Sequence, residues 1–259
     1  MPIPNTPIVN AGLLYVNGLG ISAVGANKLL TMQLGAARDS TNTNDIILDI
    51  TNPNEVNGFI TINGAKVGVN GVDMAPIVLS SFYAVYVIGD STDYQPTAGL
   101  LSLNAIQPSL PEGYDMYRRV GWVLTDASAN ILRFWQYGSG QGRMYYYDVG
   151  ITVLTAGTAA TFTEVNLGTS VPALSTEALF MYTFVPTAAT DFAEFLPFGS
   201  TATNGIVQVG GTVAASQTGM VTVPTAPDLS TPPDAAILYR VTGTATLTLV
   251  LAGFRDILS

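Results

Sequence analysis

Along this chain apolar and polar residues alternate over short runs, and helical spacing is nearly missing. In "TATLTLVL" the positions Leu247, Leu249 and Leu251 share one face of an extended strand, with Thr246 and Thr248 on the other. "YAVYVI", residues 83–88, is apolar on both faces, which predicts a central strand covered on both sides. Such runs recur between clusters of Gly, Pro, Asn, Asp and Ser. That pattern belongs to an all-β sandwich or barrel. Strands are predicted over residues 13–16, 28–34, 46–50, 59–63, 82–88, 116–125 and 131–136. Further strands are predicted over 144–154, 161–166, 179–185, 206–209, 220–223, 236–241 and 244–251.

The glycine-rich stretch "YGSGQGR", residues 137–143, lies between two aromatic strands and is the best boundary in the sequence. It divides the chain into residues 1–137 and 138–259, each of ordinary domain size. The expected fold is all-β, with two β-sandwich or jelly-roll-like domains and little or no helix. "TAPDLSTPPD", residues 225–234, reads as a loop inside the second domain.

Two adjacent arginines stand out in "GYDMYRRVGWVLTD". Strand alternation puts Arg118, Val120 and Trp122 on one face, and Arg119 and Gly121 on the other. "DASAN" has turn chemistry and "ILRFWQ" reads as the returning strand. A four-residue loop would pair Leu124 with Ile131, Trp122 with Arg133, Val120 with Trp135 and Arg118 with Tyr137. Phe134 would then cover Gly121. In that register Arg133 lies beside Trp122 and Arg118 beside Tyr137, and each cation–π contact stabilises by about 0.5–1 kcal/mol. Arg118, Trp122, Arg133 and Trp135 are therefore expected to build a structural hairpin. Capture of an acidic sugar or carboxylate by Arg118 and Arg119 is the alternative.

Composition narrows the function. The chain has 259 residues, 48% hydrophobic and 10% charged, with nine basic and eighteen acidic residues and a net charge of −9. Obligate interfaces are poor in charge, so a chain with so few charges is expected to be covered by other chains; a Thr-, Ser- and Asn-rich surface that stays wet without charges is the alternative. Neither half carries the basic stripe of a nucleic-acid binder. The start lacks the pattern of a secretory signal, and no apolar run reaches membrane-spanning length, so synthesis and assembly in the cytoplasm are expected.

Histidine and cysteine are absent. That excludes Ser-His-Asp triads, Cys-His dyads, disulfides and His- or Cys-ligated zinc. "GDST", residues 89–92, has the look of an esterase nucleophile block but lacks its histidine base, and "GSGQG" lacks the lysine and helix of a phosphate loop. "RDSTNTND", residues 38–45, spaces oxygen ligands without the glycine and distal glutamate of a calcium loop. It reads as a turn, as does the second "DST" at Asp90–Thr92. No catalytic residue, metal or cofactor is expected. "MYYYD" offers Tyr145 and Tyr147 on one face as a possible glycan platform, with Tyr146 on the other.

"GAARDSTNTNDI", "YAVYVIGDST", "GLLS" and "PSLPEGYDMYRRVGWVLTDASANILRFWQ" occur in this order between about residues 29 and 136. Together they resemble a module of virion proteins of tailed bacteriophages. The resemblance implies a structural, non-enzymatic component of a phage particle, of the capsid-decoration, head-fibre or tail-associated type. It implies phage capsid or tail proteins as partners, and analogy with such proteins suggests a homotrimer. A tail-associated protein that recognises a host surface polysaccharide is the alternative.

Overall fold

The computed structural model describes residues 15–23, 25, 27–138, 140, 142–211, 215–228 and 234–258. These residues form β-strands and no helix. In chain order the strands are β1 (Val16–Gly18), β2 (Ile21–Ala23), β3 (Leu29–Gln33), β4 (Gly35–Arg38), β5 (Asp45–Leu48), β6 (Phe59–Asn63), β7 (Gly71–Val72), β8 (Phe82–Gly89), β9 (Ala98–Ser102) and β10 (Met116–Leu124). There follow β11 (Phe134–Tyr137), β12 (Gly142–Gly157), β13 (Thr163–Asn166), β14 (Glu177–Val185), β15 (Phe192–Pro197), β16 (Val207–Gly210), β17 (Gln217–Pro224), β18 (Ala226–Asp228), β19 (Asp234–Val241) and β20 (Thr246–Ile257). The run predicted at 13–16 begins outside the described residues. The stretch predicted as a loop at 225–234 contributes the short strand β18, and its residues 229–233 also lie outside them.

The largest sheet has eight strands in the order β17-β14-β20-β12-β11-β2-β3-β6. A four-stranded sheet, β10-β8-β9-β7, packs over the β3–β6 end. Ile62 and Met32 of the large sheet lie where a Cβ on Gly99 of β9 would stand. A sheet built from β13-β19-β15-β16, with β18 also on β19, packs over the other end. There Phe184 of β14 meets Gly210 of β16, and Leu154 of β12 and Tyr239 of β19 crowd the same glycine, Gly157. The result is a sandwich-like arrangement of antiparallel sheets, with β7–β9 parallel, around one continuous buried cluster. A small sheet, β1-β4-β5, completes the first half.

The alternation seen in the sequence decides the burial. Leu247, Leu249 and Leu251 are fully buried and Tyr83–Ile88 are buried throughout, with β8 held between β10 and β9. After Leu251 the pattern shifts. Leu179 faces Gly253 and Phe180 faces Leu251, so Ala252 is an extra residue opposite β14. This bulge turns Phe254 and Asp256 inward in place of the odd positions.

The boundary expected between 137 and 138 falls inside a β-hairpin. Tyr137 pairs with Met144, and β11 and β12 lie side by side in the large sheet. The glycines serve the turn: Gly138 and Gly140 both have positive φ, which costs glycine little. Strands from both sides of this point therefore share one sheet and one core.

Candidate functional site

The turn after β10 forms as its chemistry predicts. Asp126 N donates to Asn130 O, and the Asp126 carboxylate accepts the Ser128 and Asn130 amides. The predicted hairpin then diverges. Thr125 and Ile131 form a single bridge and Leu132 N donates to Leu124 O, after which β10 pairs with β8 while β11 pairs with β2 and β12. The expected pairs Trp122–Arg133, Val120–Trp135 and Arg118–Tyr137 do not form. Both strands find longer partners, and the turn becomes a corner between two sheets.

The edge that β10 thereby exposes is closed by side chains and loops. Gln136 Nε2 donates to Val120 O at 3.3 Å, Trp122 N donates to the Tyr145 hydroxyl at 3.2 Å, and Ser40 N donates to Tyr117 O at 2.9 Å. Gly121 is covered by Ile21, Tyr145 and Gln136, not by Phe134.

Cation–π contacts exist with other partners. Arg119 lies 4.9 Å from the Trp122 ring centroid, and Arg133 lies 5.1 Å from that of Trp135. A bulge at Val120 puts Arg119 and Trp122 on one face, which simple alternation assigns to opposite faces. Both Arg118 and Arg119 are buried. Arg119 Nη1 pairs with Asp256 Oδ2 at 2.5 Å, and Trp122 Nε1 donates to the same oxygen at 3.1 Å. Burial pushes the Asp256 carboxyl up, against the pull of Arg119 and the hydrogen bonds. Burial and then Arg119 depress the Arg118 pKa, while Asp39 supports its charge. A cleft of about 300 Å³ opens beside the two arginines, with Tyr86, Tyr117 and Leu174 among its walls. Arg119 is already committed to Asp256 and Trp122, so the pair is first of all part of the core.

Tyr145 and Tyr147 share a face, and it is the inner one. Tyr145 stacks on Phe254 at 4.5 Å between centroids, and its hydroxyl also accepts from Gln136 Nε2 at 2.8 Å. Tyr147 donates to Ser170 O at 3.0 Å. Burial raises both phenolic pKa values. They form no glycan platform.

The outward-facing aromatics are their neighbours, with Trp135 and Tyr137 exposed and Tyr146 half-buried. Trp135 faces Tyr146 and Tyr137 faces Met144 across β11–β12, on the outward side of the large sheet. Tyr137 and Tyr146 meet edge to face at 5.5 Å, and together with Met144 they line an open recess of about 560 Å³. Tyr137 is 57% exposed. Arg255, opposite Met144, is paired to Glu177 at 3.6 Å, and Arg133, which lies over Trp135, is paired to Asp148 at 3.6 Å. Further along the same face Met181 lies opposite Met220 and both are exposed. Periodicity separates Tyr146 from Tyr145 and Tyr147, but only the packing sheet decides which side is covered.

The two "DST" segments are turns of one design, shared by "DASAN". Asp39, Asp90 and Asp126 each accept, through the backbone carbonyl, the amide three residues on. That third residue, Asn42, Asp93 or Ala129, has positive φ. Each carboxylate then accepts the next amide, that of Thr43, Tyr94 or Asn130. Among the described residues no group of acidic side chains is arranged to hold a metal ion.

No family model and no curated protein matches the chain. Among solved structures it is similar to a Cry1Da tryptic core variant of Bacillus thuringiensis, at 9% identity and a TM-score of 0.19. The match covers 93% of this chain and 50% of that one, about half its length, and a likeness so slight carries no argument.

Proposed function

We propose that this chain is a structural component of a bacteriophage particle, of the capsid-decoration or head-fibre type, that acts by burying sheet surface against the particle. One observation carries the reading. The outward side of the eight-stranded sheet presents Trp135, Tyr137, Met144 and Tyr146 and then Met181 and Met220, and the charges beside them are paired with one another as Arg133–Asp148 and Arg255–Glu177. The phage-like motifs support it, because their parts meet in space. The "ARDST" turn bonds through Ser40 N to Tyr117 O of the "YRR" strand, and Ser91 of "GDST" donates its amide to Asp115 of "GYD" at 2.8 Å. Residues that recur together in order therefore build one packing unit.

The test is mass spectrometry and cryo-EM of purified particles of the phage encoding the chain. The expected result is a stoichiometric virion protein whose Trp135–Tyr146 face is in contact, and whose Trp135→Glu/Tyr146→Glu variant is missing from particles. Absence of the wild-type chain from particles would overturn the proposal.

A second reading, recognition of a host surface glycan, is favoured by the Tyr137–Tyr146 recess, since aromatic faces suit the apolar faces of sugar rings. Glycan-array binding lost in Tyr137→Ala/Tyr146→Ala would support it, and an array without signal would remove it.

A further inference from the structure

β17 closes one side of the large sheet, and among the described residues no strand pairs with its outer edge. Among the described residues the other sheet edges are short or closed, the three-residue β18 included. β10 is closed by Gln136, Tyr145 and Ser40. β7 has two residues, and β1, β5, β13 and β16 have three or four, with Asp45 in β5 and Glu164 in β13. On β6, Asn63 N donates to Asn70 O, and Phe59 exchanges hydrogen bonds with Val56. β17 is different. Its eight residues carry no charge, and it pairs with β14 over eight positions without a bulge. Unguarded flat edges present a row of backbone donors and acceptors that another strand can complete.

We infer that this edge pairs, antiparallel, with β17 of a second copy of the chain about a two-fold axis perpendicular to the sheet. Such a contact is self-complementary. The register follows from the side chains. Thr218, Met220 and Thr222 are exposed while Val221 and Val223 are buried. Placing Met220 opposite Met220 of the second copy keeps exposed residues on the outer face and valines on the inner one. It also leaves Pro224, which has no amide hydrogen, outside the ladder.

The strand itself adds no like-charge repulsion to this contact. Each copy has a net charge of −9, yet β17 brings no acid to the contact, and Glu177 at the far end of β14 is already paired to Arg255. Met181 lies beside Met220, so pairing would join two such methionine pairs into one apolar row. The outward faces of both sheets would become continuous. The inference does not rest on the particle reading, since it concerns contact between copies alone.

Because the chain has no cysteine, introduced thiols report the register directly. Facing positions on paired strands lie about 4.5–5.5 Å apart between Cβ atoms. Under mild oxidation Met220→Cys is expected to give a covalent dimer. Thr218→Cys alone is expected to stay at the rate of an exposed control, Val149→Cys, because position 218 faces position 222 of the second copy. Thr218→Cys/Thr222→Cys should cross-link. In sedimentation the wild type should dimerise, and Thr222→Lys should weaken the dimer about tenfold or more with an unchanged circular-dichroism spectrum. A wild type that stays monomeric at its highest soluble concentration would overturn the inference. So would Met220→Cys cross-linking no faster than Val149→Cys, including in a chain that forms trimers.

Discussion

Arg119 and Asp256, 137 positions apart in sequence, form a buried ion pair that ties β10 to β20. Its Oδ2 atom also accepts the Trp122 indole N–H, so one carboxylate closes a junction between two sheets. Removing one member of a buried pair leaves the other charge without compensation, at a cost of about 3–5 kcal/mol. Asp256→Ala is expected to lower the unfolding free energy by that amount in denaturant titration. Arg119→Met/Asp256→Leu should recover all but about 1–3 kcal/mol, the cost of a Trp122 N–H left without an acceptor.

The capping carboxylates set the acid limit. Asp90 is held below its ordinary value near 3.8 by the Thr92 hydroxyl and amide, Asp126 by the Asn130 amide, and Asp191 by the Thr187 hydroxyl. A pKa depressed by folding means a contribution that is complete above the unfolded value and lost as pH falls through the folded one. Asp256 has the opposite sign. Burial raises its pKa, and the cost of its charge is relieved on acidification. The depressed groups outnumber it. The denaturation midpoint should therefore decline below about pH 4, and a gain on acidification above that pH belongs to Asp256. Asp90→Asn and Asp126→Asn should each lower the midpoint at neutral pH and flatten the decline. An unchanged decline in both variants would refute the assignment.

Tyr145 is a packing and hydrogen-bonding residue. Tyr145→Phe keeps the stack on Phe254 but leaves the buried Trp122 amide and Gln136 side chain short of an acceptor, which costs about 1–3 kcal/mol. Tyr145→Ala should cost about 3–5 kcal/mol. Tyr146→Ala, on the outer face, should change the unfolding midpoint far less, and the contrast between the two neighbours is the measurement.

Ala129 occupies the left-handed region with φ 57°, at the position that Asn42 and Asp93 hold in the sister turns. A residue that has a Cβ and no side-chain hydrogen bond to the local backbone is disfavoured there by about 1 kcal/mol. Ala129→Asn should raise stability by about 0.5 kcal/mol, seen as a higher thermal midpoint, while Ala129→Val should lower it.

Much of the fold is legible residue by residue. Leu247, Leu249 and Leu251 announce their shared face, and the buried run at 83–88 announces a central strand, because side-chain alternation is a local property of extended backbone. Phe192–Pro197 and Ala98–Ser102 were not expected as strands. Both are buried nearly throughout, Glu194 and Ser102 included, so neither shows the polar–apolar alternation of a strand with one face in water. Of the candidate site, the aromatic character of β11 and β12 is plain in the sequence. The choice of Tyr145 and Tyr147 as its exposed members is reversed, because periodicity defines two faces without saying which one a second sheet covers.

By itself the sequence determined an all-β chain, its turn chemistry at three Asp-led corners, and the exclusion of histidine and cysteine chemistry, since each depends on residue type and near neighbours. Tertiary structure alone decided that β10 and β11 part company, that Arg119 reaches Asp256, and that one sheet runs through the glycine-rich hairpin. Strand partners are chosen by the burial and hydrogen bonding of segments remote in sequence, and no local pattern encodes which remote edge completes which strand.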